Sequence, residues 1–130
     1  MRPRQPKPPA EMTPAQLGEF RRVARELGAD VASEIGGDAI AAYSVAYCRW
    51  RQAEAQLAES GDVVKLPNGY PGANPYLVIS TTAARQMKQF QDRVADARRH
   101  VKKTKAKQRP MMRIARDDDD DELNAAAAVG

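Results

Sequence analysis

The run Tyr76-Leu77-Val78-Ile79-Ser80-Thr81-Thr82-Ala83-Ala84-Arg85-Gln86-Met87-Lys88-Gln89-Phe90-Gln91-Asp92-Arg93-Val94-Ala95-Asp96-Ala97-Arg98-Arg99-His100-Val101 carries the strongest periodic signal in the chain. Tyr76, Ser80, Ala83, Met87, Phe90, Val94, Ala97 and Val101 follow one another by alternating steps of four and three, and only Ser80 among them is polar. This is a heptad stripe sustained over more than three heptads. It predicts one helix over residues 75–101, roughly 40 Å long at ~1.5 Å per residue. Asn74 supplies its cap and Pro75 its first helical position.

Upstream, Pro67-Asn68-Gly69 has the composition of a tight turn. Asp62 to Leu66 reads as a short strand before it, and Tyr70 to Ala73 as a return segment that Pro71 confines to an edge. A second long helix is expected over about 39–60, capped by Asp38 and ended by Gly61. Ile40, Tyr43, Tyr47, Trp50, Ala53 and Leu57 form its stripe, with Trp50 expected in the core. The two helices should pack as an antiparallel hairpin with the β-turn at its tip. The later helix outruns the earlier one, so its far end is expected to be solvated or packed on another subunit, with Met87, Phe90, Val94 and Val101 as the candidate subunit contacts.

A first, shorter helix begins at Thr13-Pro14-Ala15-Gln16, a capping box with Pro at the first helical position. Leu17, Phe20, Val23, Ala24 and Leu27 mark its apolar face; Gly28 ends it, and a short helix up to Gly36-Gly37 follows. Five prolines in the first fourteen positions predict no regular structure before residue 13. The expected fold is therefore mainly α: a helical hairpin with a short β-hairpin at its tip, preceded by an N-terminal helical region, with disordered termini. Its parts are a Pro-rich basic arm (1–12), an N-terminal helical region (13–37), an oligomerisation core (38–101) and a basic-then-acidic tail (102–130).

The net charge of +4 conceals blocks of opposite sign. Residues 98–116 hold nine basic and no acidic side chains, and residues 117–130 hold six acidic and no basic ones. The basic block invites a polyanion. Lys102, Lys103, Lys105, Lys107 and Arg109, together with Arg21, Arg22 and Arg25 on the first helix, are the candidate DNA contacts. Asp117, Asp118, Asp119, Asp120, Asp121 and Glu122 are candidate contacts to a partner protein. A lone cysteine, Cys48, fits a reducing compartment, and no apolar run approaches the ~20 residues of a membrane span. A cytoplasmic protein is expected. Catalysis has no visible basis. The single histidine, His100, has no ligand partners at metal spacing, and Gly36-Gly37 lacks the Lys and Ser/Thr of a phosphate loop. No metal and no cofactor is expected.

From about Ala39 to Phe90 the sequence resembles the small terminase subunits of tailed phages and prophages. The resemblance rests on an order of pieces: Tyr47-Cys48-Arg49-Trp50, then Gly61-Asp62-Val63-Val64, then Asn68-Gly69, then Asn74-Pro75 and the helix from Tyr76 through Met87. After Phe90 the chain departs from the family's usual short ending and continues its helix. The resemblance implies a non-catalytic protein that forms rings, binds viral double-stranded DNA at the packaging start, and recruits and regulates the large terminase subunit in the bacterial host cytoplasm. A generic oligomeric DNA-binding protein and a phage structural adaptor are the alternatives that the residues leave open.

Overall fold

The computed structural model describes residues 3–108. Its elements are α1 (Pro14–Ile35), α2 (Gly37–Ser60), β1 (Val63–Lys65), β2 (Pro71–Ala73) and α3 (Tyr76–Val129). The chain divides into two compact units, residues 1–97 and 98–130. The first holds the three-helix core and the β-hairpin. The second, within its described residues, is the continuing α3.

α1 starts as its sequence dictates. The Thr13 hydroxyl accepts from Gln16 N at 3.2 Å, and the Gln16 side chain accepts from Thr13 N at 3.1 Å. Gly28 then breaks the helix with φ 81°, and a shorter helical piece runs on to Ile35. Gly36 closes α1 by donating its N–H to Ala32 O at 2.9 Å and opens α2 directly. Its φ of 93° lies where side chains with a Cβ are strained, so one glycine reverses the chain between two helices. The expected cap of α2, Asp38, instead sits inside the first turn: Gly36 holds the cap position and no side chain caps there. A helix that begins immediately after a tight reversal leaves no room for a separate capping residue.

α2 lies between the other two helices. Ile40, Ala53 and Leu57 are buried on the expected stripe, and Ala41, Ser44 and Ala46 are buried as well. Ser44 is fully buried and satisfies its hydroxyl by donating to Ile40 O at 2.8 Å. Trp50 is only half-buried, so the largest ring on the predicted stripe is not a core residue. The core is instead centred on Phe20, Val23, Ile35, Ile40 and Phe90, with alanines filling the close approaches.

α3 buries Ser80, Ala83, Phe90 and Ala97 and half-buries Met87 and Val94 between them, while nearly everything off this heptad stripe is exposed. It runs antiparallel to α2: Ser80 Oγ donates to Glu54, Phe90 stacks on Tyr43 with ring centroids 4.4 Å apart, and Arg93 Nη2 reaches Ile35 O at 3.1 Å. At the tip, β1 and β2 pair antiparallel with Val64 opposite Gly72. A Cβ at Gly72 would overlap the Leu66 side chain, which fixes that position as glycine. Asn74 is buried and staples the hairpin: Nδ2 donates to Gly61 O at 2.9 Å, and Oδ1 accepts from Tyr76 N at 3.1 Å, which caps α3.

Two segments differ from expectation. Residues 3–12 have no helix or strand, yet they lie along α1, where Gln5 Nε2 donates to Ala24 O at 3.0 Å. Prolines forbid secondary structure but also stiffen the segment, so docking it costs little entropy. Lys102 to Gln108, expected as an irregular arm, are helical. The expected stop at Pro110, the island Met111, Met112 and Ile114, and everything beyond lie outside the described residues.

Phe90→Ala should destabilise the chain by roughly 3–5 kcal/mol, since the ring is buried against Tyr43 and leaves a cavity between α2 and α3. Trp50→Ala should cost distinctly less. Denaturant midpoints of the two variants check the order, and the reverse order would place the core around Trp50.

Candidate functional site

The three arginines expected to act together on α1 are separated by the structure. Arg22 is held by carboxylates on both sides. Nε donates to Glu19 Oε2 at 3.0 Å, Nη2 donates to Glu19 Oε1, and Nη1 donates to Glu26 Oε2 at 2.8 Å. Glu19 is 7% exposed in its side chain against 53% for Arg22. The guanidinium therefore compensates a nearly buried carboxylate, and that bidentate bond drives its affinity for the proton far above the ordinary arginine range. A phosphate would have to displace two carboxylates to reach it. Arg22 serves the α1–α2 contact.

Arg21 and Arg25 are different. They are exposed, they sit one turn apart along one edge of α1, and among the described residues neither has a carboxylate within salt-bridge distance. Both line a groove of about 290 Å³ whose other wall is the extended N-terminal segment, through Gln5, Pro6 and Pro8, with Phe20 at its floor. Two cations that the sequence reading left aside, Arg4 and Lys7, are carried by that exposed segment. Lys7 and Pro6 also border a second hollow with the Gly36-Gly37 turn, Asp38 and Arg93. Prolines mark the segment as extended in sequence, but nothing in their spacing says where it docks.

In the second unit, Arg98, Arg99, Lys102, Lys103, Lys105 and Lys107 are exposed on the helical continuation of α3. Helical spacing puts these side chains around somewhat more than half the circumference, with half-buried Val101 on the remaining side. Arg109 and the acidic residues Asp117, Asp118, Asp119, Asp120, Asp121 and Glu122 lie outside the described residues.

The positions expected to join subunits also divide. Phe90 is taken up inside the chain by Tyr43. Met87, Val94 and Val101 are half-buried. Among the described residues the large exposed apolar side chains are elsewhere, all between residues 63 and 79: Val63 at 66%, Tyr70 at 72% and Val78 at 69% exposure, with Tyr76 and Ile79 less open. They occupy the β-hairpin and the first turn of α3. The heptad pattern drew attention away from them because Val63, Val78 and Ile79 read as ordinary strand and helix residues.

Groups suited to catalysis are not assembled. Among the described residues no three His, Cys, Asp or Glu side chains converge on a point. Cys48 is a half-buried free thiol whose ionisation is pushed up by burial and then by Glu19, the opposite of an activated nucleophile. Burial likewise pushes up the Tyr43 hydroxyl, followed by the charge of Glu19. No helix among the described residues is long and apolar enough to cross a membrane.

The family model described as phage terminase, small subunit, matches residues 17–107. That span covers α1 from its first turn, α2, the β-hairpin and the described part of α3 almost to its end. Searches of curated proteins and of solved structures find no match to the chain.

Arg22→Gln should lower stability by about 1–3 kcal/mol, because it leaves the Glu19 carboxylate buried without its partner. Arg21→Gln and Arg25→Gln should leave the melting temperature within about a degree or two of wild type, as exposed, unpaired side chains do. Thermal melts of the three single variants separate the structural arginine from the other two; equal losses would mean that all three are structural.

Proposed function

This chain belongs to the phage terminase small-subunit family, and we propose that it is the non-catalytic, oligomeric component that binds viral double-stranded DNA at the packaging start and brings it to the large terminase subunit in the bacterial host cytoplasm. The observation that carries this reading is the family match over residues 17–107, which takes in every element that bears an exposed basic cluster except the N-terminal segment. The chemistry fits: clustered exposed cations are what a phosphate backbone selects, and counterion release supplies the affinity.

The basic helix with Lys102, Lys103, Lys105 and Lys107, continued by Arg109, supplies affinity without regard to sequence. Its charges are spread around the helix and so track a backbone rather than base edges. Arg21 and Arg25 sit on a rigid helix at fixed spacing and supply position. Arg22 contributes through the packing of α1. Several subunits acting together convert modest single-site affinity into tight binding. The acidic run Asp117 to Glu122 serves as the docking element for the large subunit.

The subunit contact is best placed on the apolar tip, residues 63–79, and on Met87, Val94 and Val101 where they remain half-open. A chain of this size buries a limited fraction of its surface alone, and a cluster of exposed Val, Ile and Tyr side chains is the ordinary mark of an association surface. A ring made from such copies joins the tip of one subunit to a different face of the next.

Two measurements test this. Replacing Lys102, Lys103, Lys105 and Lys107 by Gln should weaken binding to all duplexes by a similar factor and flatten the salt dependence by up to roughly 0.9 per lost contact. Unchanged slope would remove the basic helix from the interface. Val78→Asp with Ile79→Asp should shift the particle mass seen by light scattering to smaller species while helical circular dichroism stays at the wild-type level. A wild-type monomer at tens of micromolar would overturn the ring.

A further inference from the structure

We propose that residues 3–12 and α1 form one composite binding surface for the phosphate backbone of duplex DNA, with Arg4 and Lys7 of the docked segment completing the pair Arg21 and Arg25. The inference rests on the DNA-binding reading above and adds a surface to it that the family match, which begins at residue 17, does not reach.

Three observations carry it. The segment is docked by specific contacts: Gln5 Nε2 donates to Ala24 O, and Pro6 and Pro8 wall the groove whose opposite side holds Arg21 and Arg25. Its seat at the other end is a glycine. An ideal Cβ on Gly37 would stand 3.0 Å from Lys7 O and 3.3 Å from the Pro6 side chain, so the backbone of the segment lies directly against the start of α2. Finally, the docked segment carries Arg4 and Lys7 beside the residues that wall the groove of Arg21 and Arg25. Arg4, Lys7, Arg21 and Arg25 are exposed, and none has a carboxylate within salt-bridge distance among the described residues. Asp38 is the single acid lining the hollow beside Lys7. Exposed cations on one surface attract a polyanion. The prolines make the arrangement affordable to form, because a stiff extended segment loses little freedom when it is held.

Docking and DNA binding are then coupled: what displaces the segment removes two cations from the surface, and bound DNA holds the segment in place. Gly37 gives a way to displace it without touching charge. Gly37 is helical with an ordinary backbone conformation, so a side chain there is compatible with α2 itself and collides only with the segment.

The test uses the full chain and a short random-sequence duplex, read by fluorescence anisotropy, with wild type, Arg4→Gln/Lys7→Gln, Arg21→Gln/Arg25→Gln, Gly37→Val, and Gly37→Val combined with Arg4→Gln/Lys7→Gln. Trypsin supplies an independent readout. Arg2 and Lys7 are each followed by proline and resist cleavage, so Arg4–Gln5 is the bond that reports the segment, followed by mass spectrometry of the released N-terminus. The expected result is a loss of roughly threefold to tenfold in affinity for each double variant and for Gly37→Val, in line with the removal of a small number of phosphate contacts. The combined variant should lose no more than Gly37→Val alone, since a displaced segment no longer contributes its charge. Cleavage at Arg4–Gln5 should quicken in Gly37→Val and slow in wild type when duplex is added. If Gly37→Val quickens cleavage but binds like wild type, the composite surface is wrong, and weakened Arg21→Gln/Arg25→Gln would leave the α1 reading standing. If Gly37→Val leaves cleavage unchanged, the segment is not seated on Gly37 and the inference falls. If Arg21→Gln/Arg25→Gln also binds like wild type, α1 is not a DNA surface and both readings of it fall together.

Discussion

The stacking of Tyr43 on Phe90 joins α2 to α3, and the packing of the hairpin in the first unit depends on it. The ring centroids are 4.4 Å apart, and Glu19, Arg22 and Glu26 of α1 act electrostatically on the Tyr43 hydroxyl. A tyrosine suits this position because its ring is apolar and its hydroxyl tolerates a charged neighbourhood. Stacking of offset rings adds about 0.5–1.5 kcal/mol beyond the area they bury. The greater effect is geometric. A ring pair 4.4 Å apart sets the register of α3 on α2 at this level of the hairpin. The Glu19–Arg22 pair of α1 acts on the same tyrosine. Its carboxylate is nearly buried, and without Arg22 it would carry an uncompensated charge into the helix contact.

The sequence made the long elements legible because they are periodic and well punctuated. The heptad positions of α3, the capping box at Thr13, the breaks at Gly28 and Gly61, and the Asn74 cap each have a local chemical cause, and the structure has them where their residues stand. Features that depend on tertiary packing were not legible. Ala41, Ser44 and Ala46 give little hydrophobic signal, yet all three are buried in α2. Trp50 gives the largest signal and is only half-buried. In a helix packed on two sides, small residues decide how near the neighbours come, and a large ring is as well placed at the margin as in the centre. Asp38 looked like a cap because Asp is a good one, but a one-residue reversal at Gly36 fixed the helix start first.

The candidate site was legible as charge and not as geometry. Arg21, Arg22 and Arg25 are indistinguishable in a list of basic residues. Their roles separate only when Glu19 is found buried, which no spacing rule reveals, since an i,i+3 pair on an exposed face would be a weak surface interaction. Similarly, the N-terminal prolines announce an extended segment, while its docking on α1 through Gln5 depends on a backbone carbonyl that any residue at position 24 would offer. The apolar tip was missed for the opposite reason. Each of its residues has a satisfactory local reading, and only the fold shows that Val63, Tyr70 and Val78 are left uncovered.

The helical continuation of α3 through Lys107 changes what the basic block is as a physical object. On a helix, Arg98 and Lys102, Arg99 and Lys103, and Lys103 and Lys107 are each four residues apart, and like charges at that spacing destabilise a helix by a few tenths of a kcal/mol per pair. Residues 98–116 themselves hold no acidic side chain. The segment is thus a helix under electrostatic tension, and its helicity rises with anything that lowers the repulsion: salt, by screening, or a phosphate backbone, by direct neutralisation. An irregular arm of the same composition would pay ordering entropy on binding. A helix that already exists pays less and presents its cations at fixed intervals, so the self-repulsion that weakens the free segment adds to the affinity for a polyanion that removes it.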